Sequence, residues 1–192
     1  MLPTLAPAVT RALLLFGALV VAGSVCLGGL DGTSWDGWRL GTDGTSAKYC
    51  ERNRLEAWAR QPANTWSNLV YGALGAALLG LAFEDRRRRA HASPLVRNPG
   101  FTVALGGSLL VLGGGSFFFH ASLTWVAQKL DMTGTYAVVL ALGSYVLFRA
   151  LTLRAPEREA RWARLCLLGL LRSTRCSTSP TPSWPAACCC PR

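Results

Sequence analysis

Four long apolar stretches, nearly free of charged residues, constrain the fold of this chain more than any other feature. Each has about the 20 residues that a helix needs to cross the hydrocarbon core of a bilayer. They cover residues 12–30, 64–83, 101–124 and 131–151. Charged residues make up only 16% of the chain, against about 25% in soluble domains. The sequence therefore predicts an all-α, polytopic membrane helix bundle with about four spans plus an incomplete fifth, and excludes a soluble enzyme.

The basic residues are concentrated between and after the apolar stretches, and the formal net charge is +10. Neither zinc-finger spacing nor an aromatic-basic RNA motif accompanies them, so we expect no nucleic-acid partner. Lys and Arg accumulate on the cytoplasmic side of short loops, which assigns residues 1–11, 86–97 and 149–164 to the cytoplasm. Residues 31–63 then form an exoplasmic loop. Binding of anionic lipid headgroups is the alternative role for the arginine run.

Both ends of the chain allow a second interpretation. Residues 12–30 form a first span or the core of a signal peptide, since Arg11 precedes them. The span is favoured because the apolar sequence continues past the small residues near Ala22. A fifth apolar run, residues 163–171, is too short to cross a membrane. The Pro-, Ser-, Thr- and Cys-rich residues 172–192 are predicted to be disordered, either through a shifted reading frame or as a genuine flexible tail.

Three polar residues near the ends of the third and fourth stretches form the first candidate site. Ser116 and His120 are four residues apart and share a helix face, and Asp131 opens the next stretch. Ionisable groups at membrane depth are costly and indicate function by default. A neutral imidazole binds zinc, a carboxylate accepts a proton from zinc-bound water, and a hydroxyl stabilises an oxyanion. In the structural alternative, Ser116 bonds its own helix, His120 lies among lipid headgroups, and Asp131 caps the fourth helix.

The exoplasmic loop contains a second candidate cluster, made of Glu51, Asn53 and Gln61. Their side chains offer oxygen atoms, which are the ligands that a hard cation such as Ca²⁺ prefers. The alternative is a solvated, charged helix over residues 51–60, followed by an N-cap of the second span at Asn64 or Thr65.

Four strings of uncommon residues resemble the alkaline ceramidase family. They are C-E at 50–51, Q-P-A-N-T-W-S-N at 61–68, G-S-F-F-F-H-A-S-L-T at 115–124 and L-D-M at 130–132. They occur in the family's order, and the resemblance covers about residues 48–150. Members of the family are seven-helix membrane amidases that hydrolyse ceramide to sphingosine and a fatty acid. A wider group of membrane hydrolases and receptors shares their zinc site of Ser, His, Asp and a pair of histidines.

The resemblance implies a role for each candidate residue. His120 would be a zinc ligand, Asp131 would interact with the catalytic water, and Ser116 would support the site. The positions that match the family's calcium ligands are Glu51, Asn53 and Gln61. The implied cofactors are therefore Zn²⁺ and Ca²⁺, and the implied partners are a ceramide-like lipid substrate and the bilayer around it. The site would face the exoplasmic side.

The chain departs from the family in its histidines. It contains only His91 and His120, whereas the family's other zinc ligands form H-x-x-x-H on a late helix, and catalytic zinc usually has three protein ligands. We therefore expect residues 64–171 to form an incomplete ceramidase-like membrane domain that binds zinc poorly and is inactive alone. A ligand-binding receptor of the same wider group and a non-catalytic membrane remnant are the alternative functions. The sequence does not indicate an oligomeric state.

Overall fold

Seven α-helices build the computed structural model, which describes residues 7–42, 51–85 and 94–176 of the chain. They are α1 (Pro7–Leu27), α2 (Pro62–Ser67), α3 (Leu69–Asp85), α4 (Pro94–Arg97), α5 (Gly100–Ser122), α6 (Trp125–Arg154) and α7 (Glu159–Cys176). Among the described residues, extended backbone pairs only at an isolated bridge between Leu40 and Thr124. Four helical segments are long and apolar enough to cross a membrane: Pro7–Leu27, Pro62–Asp85, Gly100–Ser122 and Trp125–Arg154. The predicted all-α membrane helix bundle is confirmed.

The helices of the bundle lie beside their antiparallel neighbours. α5 packs against both α3 and α6, and α1 packs against α3. The Phe16 ring lies against Gly72, and the Val9 backbone lies against Gly80, so α1 and α3 run in opposite directions. A short connection returns the chain from α6 to α7, where Phe148 packs against Ala163.

The two ends of the bundle differ in composition. At one end lie the α5–α6 turn and the side chains of Trp35, Trp38, Trp58, Trp66 and Trp125; we call it the tryptophan-rich end. The Trp35 and Phe118 ring centroids are 5.7 Å apart, and those of Trp66 and Phe117 are 5.5 Å apart. The opposite, arginine-rich end holds α4, the end of α6 and the start of α7. The aromatic side chains at the tryptophan-rich end are typical of a membrane–water interface.

The start of α6 differs from the prediction. α6 begins at Trp125, six residues before Asp131, because the Thr124 side chain accepts a hydrogen bond from the Ala127 N–H and caps the helix. Gln and Lys in the following turn are good helix formers. Asp131 therefore lies in the second turn of α6, and its predicted alternative role as a helix cap is wrong.

The end of α7 also differs from the prediction. The helix continues to Cys176, so residues 172–176 are helical and not disordered. Within the apolar run itself, Cys166 and Leu170 are buried. The rest of the predicted disordered segment, residues 177–192, lies outside the described residues, as do residues 86–93 of the predicted cytoplasmic loop.

Residues 51–60 form turns in place of the predicted helix. Both ends of this segment form hydrogen bonds to other helices. The Glu51 carboxylate accepts hydrogen bonds from the start of α2, and the Arg60 N–H donates one to the Ala121 carbonyl. These long-range bonds replace the local bonds that a helix would need.

Glycines allow the spans to approach closely. A Cβ atom added at Gly75 would lie 2.7 Å from the Gly106 carbonyl oxygen, and one at Gly115 would lie 2.8 Å from the Leu130 carbonyl carbon. Gly114 is different, because nothing lies within 4 Å of its Cβ position. Small residues are common where membrane helices touch, since backbones must come close for dispersion contacts to form.

We predict that Gly115→Ala destabilises the bundle by about 1–3 kcal/mol, because the added methyl group must push α6 away from α5. Gly114→Ala is the matched control, and it should be neutral or stabilising by up to about 1 kcal/mol through helix propensity. Thermal unfolding of the purified chain in detergent measures both. Equal effects of the two substitutions would contradict the close approach of α5 and α6.

Candidate functional site

The contact between α5 and α6 brings Ser116, His120 and Asp131 together at the tryptophan-rich end. Because Gly115 lies against the backbone of residues 130 and 131, the neighbouring Ser116 side chain lies within interaction range of the Asp131 carboxylate. His120 lies one helical turn further along α5 and within electrostatic range of Asp131. Ser116 and His120 are both buried, with exposed fractions of 6% and 7%. The three residues that the sequence singled out therefore lie in one group.

Gln61 connects this group to the loop. Its side chain is completely buried, and its Oε1 atom lies 2.6 Å from Nδ1 of His120. The amide nitrogen of Gln61 donates to Oδ1 of Asn53 over 2.6 Å. The backbone makes a second link, because the Gln61 N–H donates to the His120 carbonyl over 3.0 Å. Gln61 therefore holds both the ring and the backbone of His120.

These hydrogen bonds determine the tautomer of His120. Asn53 offers Oδ1 as an acceptor, so the amide NH₂ of Gln61 must face Asn53 and its carbonyl oxygen must face His120. A carbonyl oxygen accepts only, so Nδ1 of His120 carries the proton. A neutral imidazole protonated on Nδ1 has its lone pair on Nε2, and a hydrogen-bonded partner of this kind orients many metal-binding histidines.

Glu51 supports the same region by capping α2. Its Oε1 accepts a hydrogen bond from the Ala63 N–H over 2.8 Å, and its Oε2 accepts one from the Asn64 N–H over 2.9 Å. These N–H groups lack partners within the helix because they lie in its first turn. The N-cap residue itself is Gln61, which makes no side-chain cap bond. The alternative expectation of a solvated helix with its own cap at residue 64 or 65 is therefore wrong.

Glu51, Asn53 and Gln61 thus lie close together, as the calcium hypothesis requires. Glu51 is also within electrostatic range of His120. Each of the three side chains already has a hydrogen-bonding partner in the structure, but carboxylate and amide oxygens have a second lone pair. A hard cation would therefore have to share these oxygens with the hydrogen bonds that shape the loop.

Loop segments also fix the α5–α6 turn from outside. The Gly41 N–H donates to the Leu123 carbonyl over 2.9 Å, and the Trp125 N–H donates to the Arg39 carbonyl over 2.8 Å. Leu123 adopts a left-handed conformation with φ of 53°, which is uncommon for a residue with a side chain. A buried cluster of Phe119, Leu123 and Ala127 lies beneath the turn. The turn is therefore held on both sides.

Arg60 is a buried residue of the site that the sequence did not identify. Its Nη1 atom donates to the Ser122 carbonyl over 2.7 Å, and its backbone N–H donates to the Ala121 carbonyl over 3.0 Å. Burial lowers the pKa of the guanidinium, and the charge of Asp36 raises it. Together with Gln61, Arg60 supplies hydrogen bonds to the last carbonyls of α5, which have no partners within the helix. In the sequence, Arg60 is only the last residue of the charged stretch 51–60.

The zinc hypothesis requires several metal-binding side chains close together. Among them, no group of three or more His, Cys, Asp or Glu side chains is arranged to hold a metal ion. His120 offers a suitably oriented nitrogen and Asp131 a nearby carboxylate, whereas a catalytic zinc ion usually has three protein ligands. The ligand set that the resemblance implies is therefore incomplete in this part of the chain.

Comparisons of the chain with protein-family models, with curated proteins and with solved structures return no match.

We predict that the His120 ring carries its proton on Nδ1 and that Gln61→Leu abolishes this preference, because leucine cannot accept the Nδ1–H hydrogen bond. The chain has two histidines, so ¹⁵N-histidine NMR of the purified protein resolves them, and His120→Asn assigns the signal. Asn64→Ala is the control, since it removes only the longer 3.3 Å bond to Gln61 and should leave the tautomer unchanged. A His120 ring protonated on Nε2 in the unaltered chain would contradict the network.

Proposed function

We propose that this chain carries part of the active site of a ceramidase-like membrane hydrolase, which cleaves the amide bond of ceramide to sphingosine and a fatty acid with a zinc-activated water. The observation that carries the proposal is the convergence of Ser116, His120 and Asp131 beside Gln61. These residues belong to separate strings that resemble the alkaline ceramidase family, and they lie up to 70 residues apart in the sequence.

Each residue has a distinct role in this proposal. Gln61 orients the His120 ring so that Nε2 is the nitrogen that would bind zinc. Ser116 lies beside the Asp131 carboxylate and would position it by a hydrogen bond, and the remaining lone pairs of Asp131 would accept hydrogen bonds from a water molecule. Glu51 and Asn53 stabilise the loop above this group, either directly or together with a Ca²⁺ ion. Zinc bound at such a site lowers the pKa of a coordinated water to about 7.

The proposal requires zinc ligands in addition to His120. The other histidine in these 192 residues is His91, which belongs to the loop that charge assigns to the cytoplasmic side. Two further ligands, of the H-x-x-x-H type, therefore have to come from a segment that this sequence does not contain. Without them, the chain forms the substrate-facing loop and one zinc ligand but does not catalyse hydrolysis.

A non-catalytic membrane remnant is the second candidate function, and the count of two histidines favours it. In that case the polar network at the tryptophan-rich end stabilises the fold and binds no metal. The two proposals differ in a measurable way, because only the hydrolase gains activity when the missing ligands are supplied.

We propose that the tryptophan-rich end faces the exoplasmic side and the arginine-rich end the cytoplasm, because cytoplasmic loops are enriched in Lys and Arg. In a cysteine-free background, an impermeant thiol reagent applied to intact cells should label Leu55→Cys and should leave Glu157→Cys unlabelled. Both positions are exposed, so accessibility does not separate them, and permeabilised cells should show labelling of both. The reverse pattern in intact cells would overturn the orientation.

We predict that the 192-residue chain binds zinc weakly and does not hydrolyse ceramide, because one histidine and one carboxylate leave the ligand set incomplete. Adding helices with an H-x-x-x-H motif should raise zinc affinity and hydrolysis together. His120→Ala should then abolish both, whereas His91→Ala, the matched control, should leave both unchanged. Zinc titration by calorimetry and the release of sphingosine from ceramide in mixed micelles provide the two measurements.

Two results would count against the proposal. Chelator-sensitive hydrolysis by the 192-residue chain alone would show that the site is not incomplete. Activity in the extended protein that does not change with His120→Ala would remove the ceramidase-type site from this group of residues and favour the remnant.

A further inference from the structure

The outward side of α7 combines exposed arginines with exposed leucines. Its inward side packs on α5 and α6 through Ala163 and Cys166. On the outward side, Leu165 and Leu168 are 50% and 55% exposed, and Arg161 and Arg164 are exposed beside them. An open groove of about 570 Å³ runs along this side, and its lining consists of Glu157, Arg158, Ala160, Arg161, Arg164, Leu165 and Leu168. We call it the α7 groove.

The α7 groove is positively charged because the acidic residues near it are already paired. Glu159 accepts hydrogen bonds from Arg97, the shorter of them 2.6 Å long, and from Asn98. Glu157 lies 3.6 Å from Arg158. Within the part of the chain that the structure describes, neither Arg161 nor Arg164 forms a salt bridge. Two guanidinium groups are therefore available on this surface to bind an anion.

The charged and apolar parts of the groove follow one another along the helix axis. Arg158 lies at the connection from α6, at the arginine-rich end, and Leu168 lies about 15 Å further along α7, at 1.5 Å per residue. The groove therefore changes from charged to apolar in the direction in which a bilayer changes from headgroups to hydrocarbon.

We propose that the α7 groove binds an anionic phospholipid, with Arg161 and Arg164 contacting the headgroup phosphate and Leu165 and Leu168 contacting the acyl chains. Guanidinium groups match phosphate oxygens in geometry as well as charge, and basic residues next to a membrane attract anionic lipid. A small anion would not contact the exposed leucines, and an uncharged lipid would not neutralise the two arginines. The lipid site is independent of the proposed hydrolase.

The test measures which lipids stay with the purified full chain. The protein is equilibrated in detergent micelles with equal amounts of phosphatidylserine and phosphatidylcholine, and native mass spectrometry counts the lipids that remain bound. We expect phosphatidylserine to be retained in preference to phosphatidylcholine. The double variant Arg161→Gln/Arg164→Gln should reduce this preference roughly ten-fold, since each basic residue near an anionic headgroup contributes to its binding.

The matched control is Arg52→Gln/Arg54→Gln, which removes the same charge from two exposed arginines near the tryptophan-rich end. It should leave the preference unchanged. A second variant, Leu165→Gln/Leu168→Gln, keeps the arginines and removes the apolar contacts, and it should weaken retention of phosphatidylserine. Circular dichroism verifies that each variant keeps its helix content.

Four results would overturn the proposal. The preference could survive in Arg161→Gln/Arg164→Gln, which would locate the lipid elsewhere. It could fall equally in the control, which would make it an effect of net charge. Millimolar inorganic phosphate could displace the lipid completely, or the leucine variant could leave retention unchanged, and either outcome would indicate a site for a simple anion.

Discussion

The backbone contact between α5 and α6 at Gly115 is the constraint on which the rest of the candidate site depends. Lipid tails are as apolar as the helix surfaces, so membrane helices associate through close packing and hydrogen bonds. The contact sets the distance from Ser116 to Asp131, and the tight turn at Leu123 follows from it. The loop segments around Arg39 and Arg60 then bond to that turn. A larger residue at position 115 would therefore disturb polar groups that it does not touch.

The spans could be predicted from the sequence because membrane insertion is set by the length and apolarity of local segments. The exact helix boundaries could not, because they depend on single caps and on packing. Thr124 starts α6 earlier than the apolar pattern indicates, and α7 continues past the end of its apolar run to Cys176. The segment at residues 51–60 has helical composition, but its ends bond to α2 and α5, and sequence alone does not reveal such distant partners.

In the candidate site, the residues on α5 and α6 could be predicted from the sequence, whereas the loop residues that contact them could not. Helix spacing was enough to pair Ser116 with His120, and a short connection was enough to bring Asp131 near them. The roles of Gln61 and Arg60 follow from a loop that folds back onto residues about 60 positions later. No periodic pattern in the sequence indicates this contact. A solvated helix over residues 51–60 would expose Arg60, which is only 7% exposed.

The amide at position 61 gives the hydrogen-bond chain a direction. Protons point from His120 to Gln61 and from Gln61 to Asn53, whereas a carboxylate at position 61 would accept from both sides and impose no order. A half-turn of the Gln61 amide would set its NH₂ group against the His120 ring and move the imidazole proton to the opposite nitrogen. The tautomer of His120 and the orientation of the buried Gln61 amide are therefore coupled, and neither changes without the other.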